Sequence, residues 1–248
     1  GATLIDSAKV KKVIIEGNTA TGVEYVKDGK TSTASSEKII ISAGGLGSPM
    51  ILRESGIENA GFKFFFDPLI LARGTVKDIR IPKSEIPMAA GIHMADEGYV
   101  MTDITEPSAI SIVNSLMRFK IGQIFSNKKM LKIMVKIKDD LGGELDDKGN
   151  IIKALTADDQ QKLKSGYERA VKILKNAGAE GIHKTAVTAA HPGGTVKIGE
   201  LLDSDLKTEY ENLYVCDCSV IPEAWGLPPT STIICLGKRL GKHLLGPV

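Results

Sequence analysis

Ala190-His191-Pro192-Gly193-Gly194-Thr195-Val196-Lys197-Ile198-Gly199, followed by Asn212-Leu213-Tyr214-Val215-Cys216-Asp217-Cys218-Ser219-Val220-Ile221-Pro222, decides how this chain is read. A short apolar stretch, residues 186–190, delivers one histidine to a glycine-rich turn, and a strand then ends in a polar loop. Glycines let main chain approach a flat ligand closely, and a strand end holds such a loop in place. Histidine is the side chain whose ordinary pKa suits proton transfer near neutrality. His191 is therefore the candidate catalytic residue. His93, expected in a sheet strand, His183, which follows a helix, and His243, which ends one, are expected to be structural or surface groups.

The chain around this stretch is globular in composition. It has 248 residues, 42% hydrophobic and 25% charged, with a net charge of +2. That length buries a substantial core in one large or two smaller domains, and so small a net charge gives no reason to expect nucleic acid. No apolar run approaches the length of a membrane span. Three cysteines make no disulfide framework and fit a reducing, cytoplasmic setting. Cys216 and Cys218 are expected on one face of a strand as small buried residues, and without further Cys or His at ligand spacing no zinc or other metal site is expected.

Periodicity supplies the elements. Residues 10–16, 20–26 and 37–42 read as strands, with Glu16-Gly17-Asn18 and Lys27-Asp28-Gly29-Lys30 as hairpin turns. Ser42-Ala43-Gly44-Gly45-Leu46-Gly47-Ser48-Pro49 passes from strand to helix, with Ser48 expected as N-cap, Pro49 at the first helical position and a helix over residues 50–55. The turn before it can offer backbone N–H groups to an anion. It fails the dinucleotide fingerprint, because counted from Gly45 and Gly47 the third glycine position is Met50. A tight structural turn is the better reading. From Phe62 to Lys138, short β-rich runs broken by Pro68, Pro82, Pro87 and Pro107 predict an antiparallel sheet. The alternating basic stretch at residues 127–138 predicts a strand with one solvated face. Thr156 caps a helix over residues 157–177 with Leu163, Tyr167, Ala170, Val171 and Leu174 as its apolar stripe, and a last helix covers residues 233–245.

Three ordered stretches then resemble motifs of one family. Lys38-Ile39-Ile40-Ile41-Ser42-Ala43-Gly44-Gly45-Leu46-Gly47-Ser48-Pro49 and the eight residues after it resemble the second signature of the glucose-methanol-choline (GMC) flavoprotein oxidoreductases. His191-Pro192-Gly193-Gly194-Thr195 and residues 213–222 resemble its closing motifs. The resemblance implies an α/β (α+β) chain in which a partial Rossmann-like FAD-binding domain, residues 1–62 and 196–248, is interleaved with a substrate domain of antiparallel sheet plus helix, residues 63–195.

It also implies FAD as cofactor, with Val10 near the adenine, Ala43 and Gly44 near the dinucleotide, Asp217 and Cys218 at the pyrophosphate and ribityl region, and Pro229 and Thr230 near the isoalloxazine ring. His191 matches the histidine that acts as acid or base on the hydroxyl of an alcohol or sugar-like substrate. Trp225 and Glu223 border that site. Two departures accompany the resemblance. Nothing before Val10 supplies the family's opening strand, Gly-x-Gly-x-x-Gly turn and helix, so the chain reads as a C-terminal portion, with a missing N-terminal FAD-binding segment as possible partner. Pro228 stands where the family carries Asn or His, and it brings no side-chain donor or acceptor. The alternative is a noncatalytic module, or half of a split flavoprotein that binds no FAD alone; a weaker one is a nucleotide-binding protein using only Gly44 to Gly47.

Overall fold

The computed structural model describes residues 1–79, 86–105 and 129–246. The expected breaks at Pro82 and Pro107, and the start of the basic stretch at Asn127 and Lys128, lie outside these residues. An antiparallel meander opens the chain: β1 (Lys9–Glu16), β2 (Thr19–Lys27) and β3 (Lys30–Ser35). The third strand is an addition to the expected pattern. Its residues are exposed and, apart from Ala34, polar, but Asp28 and Gly29, at φ 50° and 74°, form a two-residue turn whose twist suits a hairpin and pairs Lys27 with Lys30.

β4 (Ile39–Ile41) is shorter than the expected run and pairs in parallel with β14 (Leu213–Val215). The expected start of the next helix is corrected. Helix α1 spans Gly44–Arg53, so Pro49 is inside it and Ser48 is not its N-cap. Proline removes the N–H that would reach the carbonyl four residues back. That carbonyl belongs to Gly45, and the Thr195 hydroxyl donates to it instead at 2.8 Å. The helix tolerates its proline because another part of the chain satisfies the freed acceptor.

β5 (Phe62–Phe64) leads to the middle of the chain. There β6 (Pro68–Thr75), β7 (Gly91–Met94), β8 (Tyr99–Asp103) and β9 (Met130–Ile137) form an antiparallel sheet that β12 (Glu180–Lys184) and β13 (Thr188–Ala189) extend along β6. β10 (Gly142–Leu145) and β11 (Ile151–Ile152) join β5 in a smaller sheet. Helix α2 (Ala157–Asn176) begins as expected at Thr156, where a capping box forms with Asp159. Its Leu163, Ala170 and Leu174 bury against Ile70, Ala72, Tyr99, Met101, Val135 and Ile137 of the sheet.

One face of the sheet thus belongs to α2. By strand alternation, the opposite face carries Leu69, Leu71 and Arg73 from β6 and Lys132, Met134 and Lys136 from β9. The expectation that this basic face is solvated is corrected, since Lys132 and Lys136 are both buried. A second core joins the two ends of the chain: Val13, Ala20, Ile39, Ile41 and Leu52 pack with Val196, Leu206, Leu213, Val215, Val220 and Leu240. Leu240 lies on α3 (Thr230–Leu245), which starts three residues before the expected last helix.

Candidate active site

His191 leaves β13 in the left-handed conformation, φ 57°. Its loop is stitched to the segment that enters β6. Phe65 and Gly193 exchange backbone hydrogen bonds, each at 3.0 Å, and the Ala190 N–H donates to the Phe66 carbonyl. The Phe65-Phe66-Asp67 segment is fixed in turn by Asp139, whose carboxylate accepts the N–H groups of Phe66 and Asp67 and pairs with the Lys153 ammonium at 2.6 Å. Burial pushes the Asp139 carboxyl up, and the Lys153 ammonium and the two backbone N–H groups oppose that shift.

This stitching brings Asp67 and Lys136 to the imidazole. Asp67 Oδ2 lies 3.0 Å from Lys136 Nζ, with both side chains 1% exposed. His191 Nδ1 lies 3.3 Å from the same Oδ2 and 3.4 Å from Nζ, and the His191 side chain is 33% exposed. A half-open imidazole is therefore backed by a closed, oppositely charged pair. Neither Asp67 nor Lys136 was identified in the sequence. The available signal was the pattern Met130, Lys132, Met134, Lys136 along one face of β9. Two methionines on a face are a poor match for solvent.

The remaining candidates fall into two groups. Val10, Ala43, Gly47, Met50 and Ile51 line a cleft of about 850 Å³ between the meander and α1, within the size range of small-molecule sites. The space where a side chain on Gly44 would start is open. These residues fit part of a dinucleotide. Gly44, however, has a committed N–H, which corrects the reading of its turn as an anion cradle: Asp217 Oδ2 accepts from the Gly44 N–H at 2.9 Å and from the Ser48 hydroxyl at 2.5 Å, while Oδ1 accepts from the Ser219 N–H. The chain's own carboxylate thus occupies the positive end of α1.

Cys218 borders the histidine loop, its carbonyl accepting the Gly194 N–H and its thiol lying 3.8 Å from the His191 carbonyl. Pro229 and Thr230 begin α3, whose Ile233 packs on Phe65, Cys218, Ile221 and Ala224 beside that loop. Pro228 is exposed. Trp225 lines a separate small recess with His93, Tyr99 and Lys138 at the end of the sheet.

The expected sharing of a strand by Cys216 and Cys218 is corrected, since β14 ends at Val215 and Cys218 starts a short 3-10 turn. All three cysteines are free thiols. Burial first, and then the Asp217 and Asp67 carboxylates, push the Cys218 thiol up to about 11; burial and Asp217 raise Cys216 as well. Thiolates are the reactive species, so at pH 8 only the exposed Cys235 should react promptly with a disulfide reagent. Titration of the folded chain should give one fast equivalent and two more on unfolding. Three fast equivalents would contradict this packing.

Comparison with known proteins defines the class. The GMC oxidoreductase N-terminal family profile matches residues 1–73 and the C-terminal profile residues 150–237. The chain belongs to the GMC oxidoreductase family, the FAD-dependent flavoproteins whose motifs its sequence resembles. An uncharacterized protein of Methanocaldococcus jannaschii is 31% identical over 221 residues, which is 89% of this chain and 56% of that protein. The long-chain-alcohol oxidase FAO4A of Arabidopsis thaliana is 25% identical over 285 residues, covering 91% of this chain and 39% of the oxidase. The fold matches that of a pyridoxine 4-oxidase from Mesorbium loti with a TM-score of 0.69 at 16% identity, over 95% of this chain and 57% of that one. The chain thus spans roughly half, or less, of the length of these relatives.

Proposed function

We propose that the chain is the C-terminal portion of an FAD-dependent oxidoreductase acting on a CH–OH group of an alcohol or sugar-like substrate, with His191 as acid or base. Bound FAD supplies the acceptor for the hydride that leaves the carbinol carbon. His191 takes the hydroxyl proton, and the loop of residues 190–195, docked on α1, holds the imidazole in place. Val10, Ala43 and Gly44 contribute to the adenine and dinucleotide side of the cofactor site, Asp217 and Cys218 to its pyrophosphate and ribityl region, and Pro229 and Thr230 to the isoalloxazine end. Asp217 acts there through the backbone it fixes, since its carboxylate is engaged by Gly44, Ser48 and Ser219. The observation that carries the proposal is the partly exposed His191 imidazole set on the buried Asp67–Lys136 pair.

The test is the visible spectrum of the purified chain after incubation with FAD and removal of free ligand, followed by anaerobic addition of primary alcohols and sugars. A retained flavin band that bleaches with one of them is expected. If the chain alone retains none, the measurement is repeated with a polypeptide supplying a strand, Gly-x-Gly-x-x-Gly turn and helix. No band in either case sinks the proposal.

A second reading, half of a split flavoprotein or a noncatalytic module, is favoured by one feature. Among the described residues β4 and β14 make a parallel sheet of only two strands, with Ile40 45% exposed, whereas parallel sheets are ordinarily covered and wider. A band that appears only with the added polypeptide selects the split enzyme.

A further inference from the structure

We infer that Asp67 is the positioning residue for His191: its Oδ2 accepts the Nδ1–H of the imidazole and keeps Nε2 bare as the proton acceptor, while the Lys136 ammonium, paired with the same oxygen, holds the carboxylate in place. The inference rests on the proposed role of His191 and assigns the group that makes that role possible. A neutral imidazole carries one proton, and which nitrogen holds it is set by the partner of the other. Nδ1 faces two groups at nearly equal distance, Oδ2 at 3.3 Å and Nζ at 3.4 Å.

Their chemistry separates them. An ammonium only donates, and Lys136 is already directed at Oδ2 at 3.0 Å. A bare Nδ1 would set its lone pair against that oxygen. It would also leave the buried carboxylate with Lys136 alone as side-chain donor, because Asp67 Oδ1 has no hydrogen-bond partner. A protonated Nδ1 gives Oδ2 its second donor. Nε2 then has the free lone pair, on a ring that is one third exposed and has no other side-chain partner among the described residues. Nε2 would take the proton of the substrate hydroxyl, and a bound flavin would supply the acceptor for the hydride that the carbinol carbon loses as the carbonyl product forms. The imidazolium that remains has its Nδ1–H already against a carboxylate.

The backbone is arranged for this contact. Asp67 and His191 both adopt positive φ, 48° and 57°, a conformation uncommon for residues other than glycine although Asp and His are among those that accept it. Each is held there from outside: Asp67 by the carboxylate of Asp139 on its N–H, and His191 by the bonds of Ala190 and Gly193 to residues 65–67. Strain of this kind persists where surrounding structure over-determines it. The result is two short side chains meeting in front of Lys136.

The first test reads the tautomer directly and needs no flavin. In the 15N-labelled chain at about pH 9, above the ordinary imidazole range, long-range proton–nitrogen correlations identify which ring nitrogen of His191 is protonated, with His191→Gln providing the assignment. Nδ1–H is expected, shifting toward Nε2–H in Asp67→Asn. An Nε2–H tautomer in the unaltered chain, or an Nδ1–H tautomer that survives Asp67→Asn, overturns the inference. Should Asp67→Asn fail to fold, the paired variant Asp67→Asn with Lys136→Gln removes both charges and leaves no unpaired buried ion. Retention of Nδ1–H there overturns the inference equally.

In the flavin-loaded protein Asp67→Asn should lower kcat by about 10²-fold or more with KM little changed, as for other histidine bases that lose their orienting carboxylate. An unchanged kcat overturns it too. The tautomer separates this inference from the reading beneath it. Nε2–H with alcohol-driven bleaching leaves the oxidoreductase proposal standing and ends this one, while Nδ1–H without bleaching does the reverse.

Discussion

His191→Ala in the flavin-loaded protein is expected to slow reduction of the flavin by the proposed alcohol substrate by about 10²–10⁴-fold, the usual contribution of a positioned general base. The reasoning is geometric. Among the described residues His191 is the imidazole set on the Asp67–Lys136 pair, and Pro228 has no side-chain donor or acceptor. Removing the ring leaves the hydroxyl proton without an acceptor set to receive it. The measurement is anaerobic stopped-flow reduction of the flavin. Because the residue has a positive φ, alanine adds backbone strain of roughly 1 kcal/mol, so His191→Asn should be measured beside it. Asparagine tolerates that conformation and can still meet Asp67, yet is no base at neutral pH. If both variants reduce the flavin at the unaltered rate, His191 is not the acid or base. If only the alanine variant is slow, the loop conformation rather than the imidazole controls the reaction.

Local signals were readable wherever a single element satisfied its own needs. The box of Thr156 and Asp159 and the stripe of Leu163, Ala170 and Leu174 define α2 without help from the rest of the chain. The histidine loop was equally legible, since His191 precedes Pro192-Gly193-Gly194 and adopts a turn conformation. Failures came where a distant residue supplied the missing partner. Pro49 reads as the first residue of a helix because an interior proline frees a carbonyl, but Thr195 satisfies that carbonyl from 150 positions away in the chain.

Lys136 reads as solvated because a lysine alternating with apolar residues ordinarily is. Its counter-charge, Asp67, sits in Phe64-Phe65-Phe66-Asp67-Pro68, and the two meet only because β6 and β9 pair. Both of these features involve a buried polar group, whose placement depends on a partner that no local window contains. Of the candidate site, the sequence offered His191, and the Asp67–Lys136 pair behind it was not legible there.

The same dependence makes Gly45 the most sensitive position of the loop's docking surface. An added Cβ there would lie 1.8 Å from the Pro192 carbonyl oxygen and 2.5 Å from its carbon, and backbone atoms cannot move aside as a flexible side chain end can. Gly45→Ala is therefore expected to cost about 3 kcal/mol or more, at or beyond the upper end of ordinary overpacking, measured by urea denaturation followed by circular dichroism.

Gly44→Ala is the control. Its Cβ meets nothing within 4 Å, but φ is +81°, so only backbone strain of about 1–2 kcal/mol applies. The order of the two losses distinguishes collision from conformation, and a Gly45→Ala loss below that of Gly44→Ala would mean that the histidine loop is not seated on α1. Thr195→Val sharpens the test. It strands the Gly45 carbonyl at a cost of about 1–3 kcal/mol, but once Gly45→Ala has lifted the loop that bond is already gone. The two substitutions should then destabilise less together than the sum of their separate effects, whereas strict additivity would separate the Thr195 contact from the close approach of Pro192.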